Sequence, residues 1–384
     1  MLCPSKSFLA IFALVSCAAP VAAQSSYTVA TAPEWTSLFD TTSGWSGADG
    51  IFSFGLDGND SPGGLHRAGS LFVFSDTFIG DVSPSGVRSN TTMINNSMGF
   101  LPSNGLSQGM RFFWDDHGSQ PQSIVTPHTP LSQPGDWYWF ADGVVIGDQF
   151  HLLAMRMEHN NGPPGWNFAR AGMTLFTLNK NGPYTRAAAT EVDTPLSIPE
   201  SSARGASFFG AGIMANTVEA GAPFPDGYIY VYGSQEDQVK KLLLARVLPQ
   251  DFENFSAWRY WDGTGWSTDI QSRATLTGRI SNELSVTPLP DGRFALIFSL
   301  DTLSNKVAMK IAPTPWGPFG NAEILWDIPA APIPNVFTYN AKAHPHLSEP
   351  GELLISYNVN TFEFWDHFAY ADIYRPRFIK LTWQ

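Results

Sequence analysis

The sequence predicts an all-β chain folded as a five-bladed β-propeller, and three observations carry that prediction. Helical periodicity is almost absent: its best stretch, Glu236 to Leu248, reads equally well as strand between Leu242 and Val247. Elsewhere, short runs rich in β-branched and aromatic residues alternate with clusters of Gly, Pro, Asn and Asp that mark turns. The third observation is a repeat. One kind of β-rich run occurs five times, at intervals of 79, 78, 66 and 59 residues, and five units of about four strands are what five blades look like in sequence.

In chain order these runs are LFVFSDT from Leu71, FHLLAMRM from Phe150, YIYVYGS from Tyr228, FALIFSL from Phe294 and LLISYNV from Leu353. Four of them follow a Gly-containing turn, at Gly147-Asp148, Asp226-Gly227, Asp291-Gly292 and Pro350-Gly351. Each is preceded by a run of smaller residues, expected to be the first strand of its blade and to line the central channel. Three are followed by another strand and an outer turn, in which Gly-Pro-aromatic appears at Gly182-Pro183-Tyr184 and Gly317-Pro318-Phe319. The long stretch from Asp81 to Asp136, rich in Asn, Ser, Gly and Pro, is expected to be a loop forming one wall of a cleft.

The N-terminus carries Lys6, an apolar run from Phe8 to Val15 and small residues at Val21-Ala22-Ala23, the pattern of a secretory signal. The expected organisation is a signal peptide over 1-23 and one propeller domain over 24-384, exported as a monomer. Both cysteines, Cys3 and Cys17, fall within the signal, so stability is expected from core burial rather than disulfides. Asn59, Asn90, Asn95 and Asn254 each begin an Asn-X-Ser/Thr sequon. A net charge of −12 argues against nucleic acid or an anionic membrane surface as partner. With 15% charged and 14% aromatic residues, the surface suits a neutral polyhydroxylated ligand.

The starts of the first strands bring distant acids to one mouth of the propeller: Asp49 in "GADG", Asp142 in "FADG" and Glu283 in "SNELS", with Asp76 arriving on the neighbouring strand of the first blade. Cleavage of a glycosidic bond needs two facing carboxyl groups, one protonated and one ionised. Acids crowded into one pocket push their proton affinities apart. The bland alternative for each Asp-Gly pair is ordinary turn chemistry, while Glu283 in an apolar strand would be costly without a partner. His344, Arg279, Lys342, Trp139 and Asn340 are the expected substrate contacts. Trp137 and Trp365 lie in ring-rich stretches suited to sugar faces. No spacing signals a zinc site, and no cofactor is expected, with an axial calcium left open.

These motifs resemble a group of secreted five-bladed propeller proteins described as domains of unknown function and related to endo-D-arabinanases. The resemblance rests on "GADGIFSFGLDG" with "LFVFSDTFIGD", on "YIYVYGS" with "LLLARV" and "WRYWDG", and on "YNAKAHPHLSEPGELLISYNVN". It implies glycoside hydrolysis of a furanoside-containing polysaccharide, with Asp49 and Asp76 in the positions of the matching acids. Furanosidase propellers usually draw the general acid from the third blade; here that blade has none and Glu283 stands in the fourth. The rival expectations are a carbohydrate-binding propeller without catalysis, and a lyase or transglycosylase.

Overall fold

The computed structural model describes residues 26–384 except 117–119, 164, 203–204 and 330–332. The expected signal segment and both cysteines lie outside the described residues. The chain is all-β. Strand β1 (Tyr27–Thr31) comes first, then β2 (Trp45–Ala48), β3 (Phe52–Gly55), β4 (Ser70–Phe74), β5 (Thr77–Val82), β6 (Arg88–Ile94), β7 (Ser97–Leu101) and β8 (Arg111–Phe113). Next come β9 (Trp137–Ile146), β10 (Gln149–His159), β11 (Phe168–Asn179), β12 (Thr190–Thr194), β13 (Ser197–Ile198), β14 (Ser207–Asn216), β15 (Tyr228–Gln235), β16 (Lys241–Val247), β17 (Arg259–Trp261) and β18 (Trp266–Ser267). The last are β19 (Leu284–Pro288), β20 (Phe294–Ser299), β21 (Lys306–Ala312), β22 (Glu323–Asp327), β23 (Val336–Ala343), β24 (Glu352–Thr361) and β25 (Pro376–Trp383).

These strands form five antiparallel sheets of four or more strands: β3-β4-β7-β8, β9 to β12, β13 to β18, β19 to β22, and β23-β24-β25-β1. The five recurring runs are the second strands β4, β10, β15, β20 and β24, and the smaller-residue runs before them are the first strands. The four hairpins entered through Gly147, Gly227, Gly292 and Gly351 hold those glycines at φ of 60 to 86°, a conformation closed to most side chains. In the fifth sheet the N-terminal strand pairs with the C-terminal one, from Tyr27 opposite Trp383 to Thr31 opposite Ile379.

Neighbouring sheets pack face to face in chain order, so their middle strands are apolar on both sides rather than alternating. Phe52, Val73, Phe140 and Leu152 join the first sheet to the second, Ile297, Val307, Leu353 and Ile355 join the fourth to the fifth, and Phe72, Phe74, Leu354 and Phe378 join the fifth to the first. Burying each such side chain contributes about 2 kcal/mol.

One open alternative is decided and one expectation changes. Glu236 to Leu248 contains no helix: Lys241–Val247 is strand β16, because alternate residues of Leu242 to Ala245 must face sheets on either side. The stretch from Asp81 to Asp136 is not one loop. It contains β6, β7 and β8, with β6 joining β2 and β5 in a small extra sheet, held by one buried cation. Arg88 donates to the carbonyls of Ser46, His367, Ala371 and Ile373.

Candidate active site

Asp49 lies in the turn between β2 and β3, and Asp76 in the turn between β4 and β5. The two turns bond directly: the Asp49 amide donates to the Asp76 carbonyl at 3.3 Å, and the Ser75 amide to the Asp49 carbonyl at 2.9 Å. The glycine of "GADG" permits this approach. Gly50 has φ of 64°, and a Cβ there would lie 2.6 Å from Ser75 Oγ. The acids are side by side because their turns are zipped together.

The Asp49 Oδ2 accepts from the Tyr339 hydroxyl at 2.6 Å, and the Tyr374 hydroxyl lies near enough to act on this carboxyl. Its Oδ1 is buried without a hydrogen-bond partner among the described residues. Asp76 Oδ1 accepts from Asn95 at 3.0 Å and from the Trp139 indole at 2.7 Å. Each residue keeps some exposed surface, yet the carboxyl groups are enclosed by protein, and that enclosure sets their proton affinity. Burial, then the Asp76 charge, push Asp49 up to about 8 against the hydroxyls of Tyr339 and Tyr374. Burial pushes Asp76 up to about 6 against the two donors that hold it. Near neutral pH this separates the pair into a protonated Asp49 and an ionised Asp76.

Glu283 is the third member, near enough for its charge to raise Asp49. It is buried and accepts from the Lys342 ammonium, which sits 3.8 Å from the centroid of the Phe52 ring. Burial raises its pKa while Lys342 lowers it. A β-bulge in β23 makes this possible: Asn340 and Ala341 together oppose Tyr357, and Asn340 takes φ of 58°. The extra residue restores parity, so that Tyr339 and Lys342 both reach the acid cluster. Asn340 itself is buried at the bulge.

Of the other expected site residues, Asp142, His344 and Arg279 bond elsewhere, while Trp139 meets Asp76. Asp142 accepts from the backbone amides of Gly143 (2.8 Å) and Ile213 (2.6 Å), bracing β9 against β14. It borders a cavity of about 210 Å³ that lies beyond Lys342 and is also lined by Phe52, Asp60, Leu284 and His346. Asp49, Asp76 and Glu283 are not among the residues lining this cavity, and both Asp142 oxygens are tied to backbone amides. His344 also borders the cavity, but it is a packed histidine rather than a free donor: Nδ1 meets Ser53 Oγ at 2.6 Å and Nε2 meets Ser356 Oγ at 2.8 Å. The Ser53 bond joins the fifth sheet to the first, and burial holds the His344 pKa well below the usual value. With both nitrogens used, His344 does not suit an axial metal. Among the described residues, no group of three His, Cys, Asp or Glu has metal-binding geometry. Arg279 is exposed and paired with Asp301 at 2.6 Å. Trp139 contacts Asp76 through its N–H rather than presenting a face.

Sequence reasoning missed Tyr339, Tyr374, Asn95 and a set of rings. From Trp139 the contacts run to Phe168 at 4.9 Å, Trp166 at 6.2 Å and Phe362 at 5.9 Å. They return through Phe337 at 4.4 Å to Tyr339 at 5.5 Å. Trp166 and Phe362 are 44% and 52% exposed, so rings in contact with both acids' partners continue to the surface. Tyr339 stood unremarked within the quoted "YNAKAHPH" block, and Asn95 was read as a sequon. Tyr374 has no local signal. Trp365, 76% exposed, packs on Phe364 and Phe368 instead.

A family model described as a domain of unknown function, DUF5005, matches residues 33–383. No curated protein matches the sequence. Among solved structures, a Bacteroides ovatus ATCC 8483 protein provisionally described as a hydrolase is similar at 22% identity with a TM-score of 0.71, over 92% of this chain and 90% of that one. That likeness shows a shared fold. An α-L-arabinofuranosidase from Podospora anserina is 10% identical over 88% of this chain and 92% of its own, with a TM-score of 0.47. A GH43_1 enzyme from Xanthomonas citri is 13% identical over 93% and 90%, with a TM-score of 0.44.

Proposed function

The chain belongs to the DUF5005 family of domains of unknown function, and we propose that it is a secreted glycoside hydrolase cleaving a neutral, furanose-containing glycan. The observation that carries this reading is the carboxyl pair Asp49 and Asp76, held on bonded turns, with one pushed up to about 8 and the other to about 6. Asp49 is the group that protonates the leaving glycosidic oxygen. Asp76 is the ionised partner, acting as nucleophile or as base for water. Glu283 with Lys342 sets the local charge. The exposed rings of Trp166 and Phe362 offer flat apolar faces to sugar rings, and a carboxylate pair needs no cofactor.

The five sheets are best read as five blades with their first strands around one axis, β1 latching the last blade to the first. Secretion rests on the signal pattern of residues 1–23, to be checked by N-terminal sequencing of the exported protein.

The test is incubation of the purified protein with arabinans, galactofuranans and aryl furanosides, with product mass showing whether water has been added. Sugar release that falls by about 10² to 10⁴ in Asp49→Asn and Asp76→Asn is the expected result. Binding without release, product without added water, or variants that keep full activity would overturn the reading.

A further inference from the structure

Asp49 stands at one end of a hydrogen-bonded chain. The Tyr339 hydroxyl meets Asp49 Oδ2 at 2.6 Å, Asn360 Nδ2 meets the Tyr339 oxygen at 3.0 Å, and His367 Nε2 lies 2.8 Å from Asn360 Oδ1. Two outside contacts fix the direction of this chain. The Thr361 amide donates to Asn360 Oδ1 at 2.7 Å, which pins the Asn360 side chain with its NH₂ toward Tyr339. His367 Nδ1 lies 2.7 Å from the Phe364 carbonyl. Both ring nitrogens of His367 therefore face oxygen acceptors. In a neutral imidazole one nitrogen carries a lone pair, which would point at a carbonyl oxygen whichever tautomer formed.

We propose that His367 is protonated in the folded protein and acts through Asn360 and Tyr339 as a positioning residue that keeps the proton of Asp49 on Oδ1. With His367 donating at both nitrogens, Asn360 must donate to Tyr339, and Tyr339 must donate to Asp49 Oδ2. A protonated Asp49 then carries its hydrogen on the other oxygen, Oδ1, the one without a partner. This deepens the assignment of Asp49 as the proton donor and rests on it. No proton travels along the chain; what passes is the direction of the hydrogen bonds. When His367 loses its proton, one of the two contacts that hold Asn360 weakens, and if Asn360 turns over it also gives up the Thr361 amide and presents Oδ1 to Tyr339. The tyrosine then offers Asp49 a lone pair, and the Asp49 proton moves from Oδ1 to Oδ2.

The groups facing His367 divide. Their balance lowers the His367 pKa from its usual value: burial, the largest influence, and the Arg88 guanidinium oppose its proton and outweigh the Phe364 carbonyl and the Asp366 carboxylate, which favour it. The rings of Phe78, Phe364 and Tyr374 enclose it at 5.1 to 5.6 Å. Asp49 is faced by Asp76, Glu283, Tyr339 and Tyr374. Burial and Arg88 favour the neutral ring, but the Asn360 oxygen, itself pinned by Thr361, is the contact a neutral ring cannot satisfy together with Phe364.

The first test needs no substrate. Histidine side-chain ¹⁵N NMR of the purified protein near pH 7, with the resonance assigned by its loss in His367→Gln, should show both His367 nitrogens protonated. A neutral tautomer under these conditions overturns the proposal, whatever the protein hydrolyses. The second test follows activity against pH. In Asn360→Asp the new carboxylate takes the Tyr339 hydroxyl, so kcat should fall at least about tenfold and the alkaline limb should shift, with KM little changed. His367→Leu should shift the same limb, and His367→Gln, which keeps a donor to Asn360, should lie closer to the wild type. Unchanged pH profiles would overturn the proposal while leaving the glycosidase reading intact. Failure of every sugar to react would overturn that reading and leave the NMR result to decide this one.

Discussion

Asp49 and Asp76 are enclosed acids whose ionisation the fold resists, and this has consequences for stability as well as for catalysis. An acid with a raised folded pKa gives stability that is full below its unfolded value near 3.9 and is lost as pH rises toward the folded value. For Asp49 that window runs from about pH 4 to about 8. Asp49→Asn, which lowers activity, should therefore raise Tm near pH 7, with the gain vanishing near pH 4; calorimetry at the two pH values checks the sign. Activity should follow a bell, rising as Asp76 ionises around pH 6 and falling as Asp49 deprotonates around pH 8. Lys342 carries the opposite liability. Lys342→Met leaves Glu283 buried without its counter-charge and should cost about 3 to 5 kcal/mol in denaturant unfolding, most of it recovered in the double variant with Glu283→Gln.

Single strands place these side chains through local irregularities rather than through regular geometry. The bulge at Asn340 and Ala341 lets Tyr339 and Lys342 serve one cluster, and a comparable bulge at Ala141 and Asp142 in β9 brings both Asp142 oxygens to backbone amides. Arg88, on β6, does the same for the chain around His367, since its guanidinium collects four backbone carbonyls. Arg88→Met should strand those carbonyls in a buried site. The expected loss is at least about 2 kcal/mol, together with faster amide exchange over residues 366–375, read by mass spectrometry.

Across the whole molecule, the strand that begins the described chain completes the last sheet. Removing residues 27–31 exposes the edge of β25, so the truncated protein should unfold at lower temperature and aggregate, as light scattering during a thermal ramp would show. The ring set likewise belongs to the whole fold, because Trp166 follows β10 while Phe337 and Phe362 lie on or beside β23 and β24. On the proposed reading, in which these rings form sugar faces away from the reacting bond, Trp166→Ala and Phe362→Ala should raise KM on a polymeric glycan with little change in kcat.

The sequence alone determined the strands and their grouping, because side-chain patterning and turn residues are local: the five second strands, the four glycine hairpins and the run at Leu242 to Val247 were legible in it. It also marked Asp49, Asp76 and Glu283, since acids at strand starts in apolar contexts stand out one by one. Tertiary structure decided which acids meet. Asp142 shares the "ADG" context of Asp49 but is spent on the Gly143 and Ile213 amides, and His344 is spent on two hydroxyls. Tyr339 and Tyr374 reach Asp49 from residues almost three hundred or more positions away. Pattern reports which face of an element is buried; only the packing of the sheets decides what each buried polar group finds there.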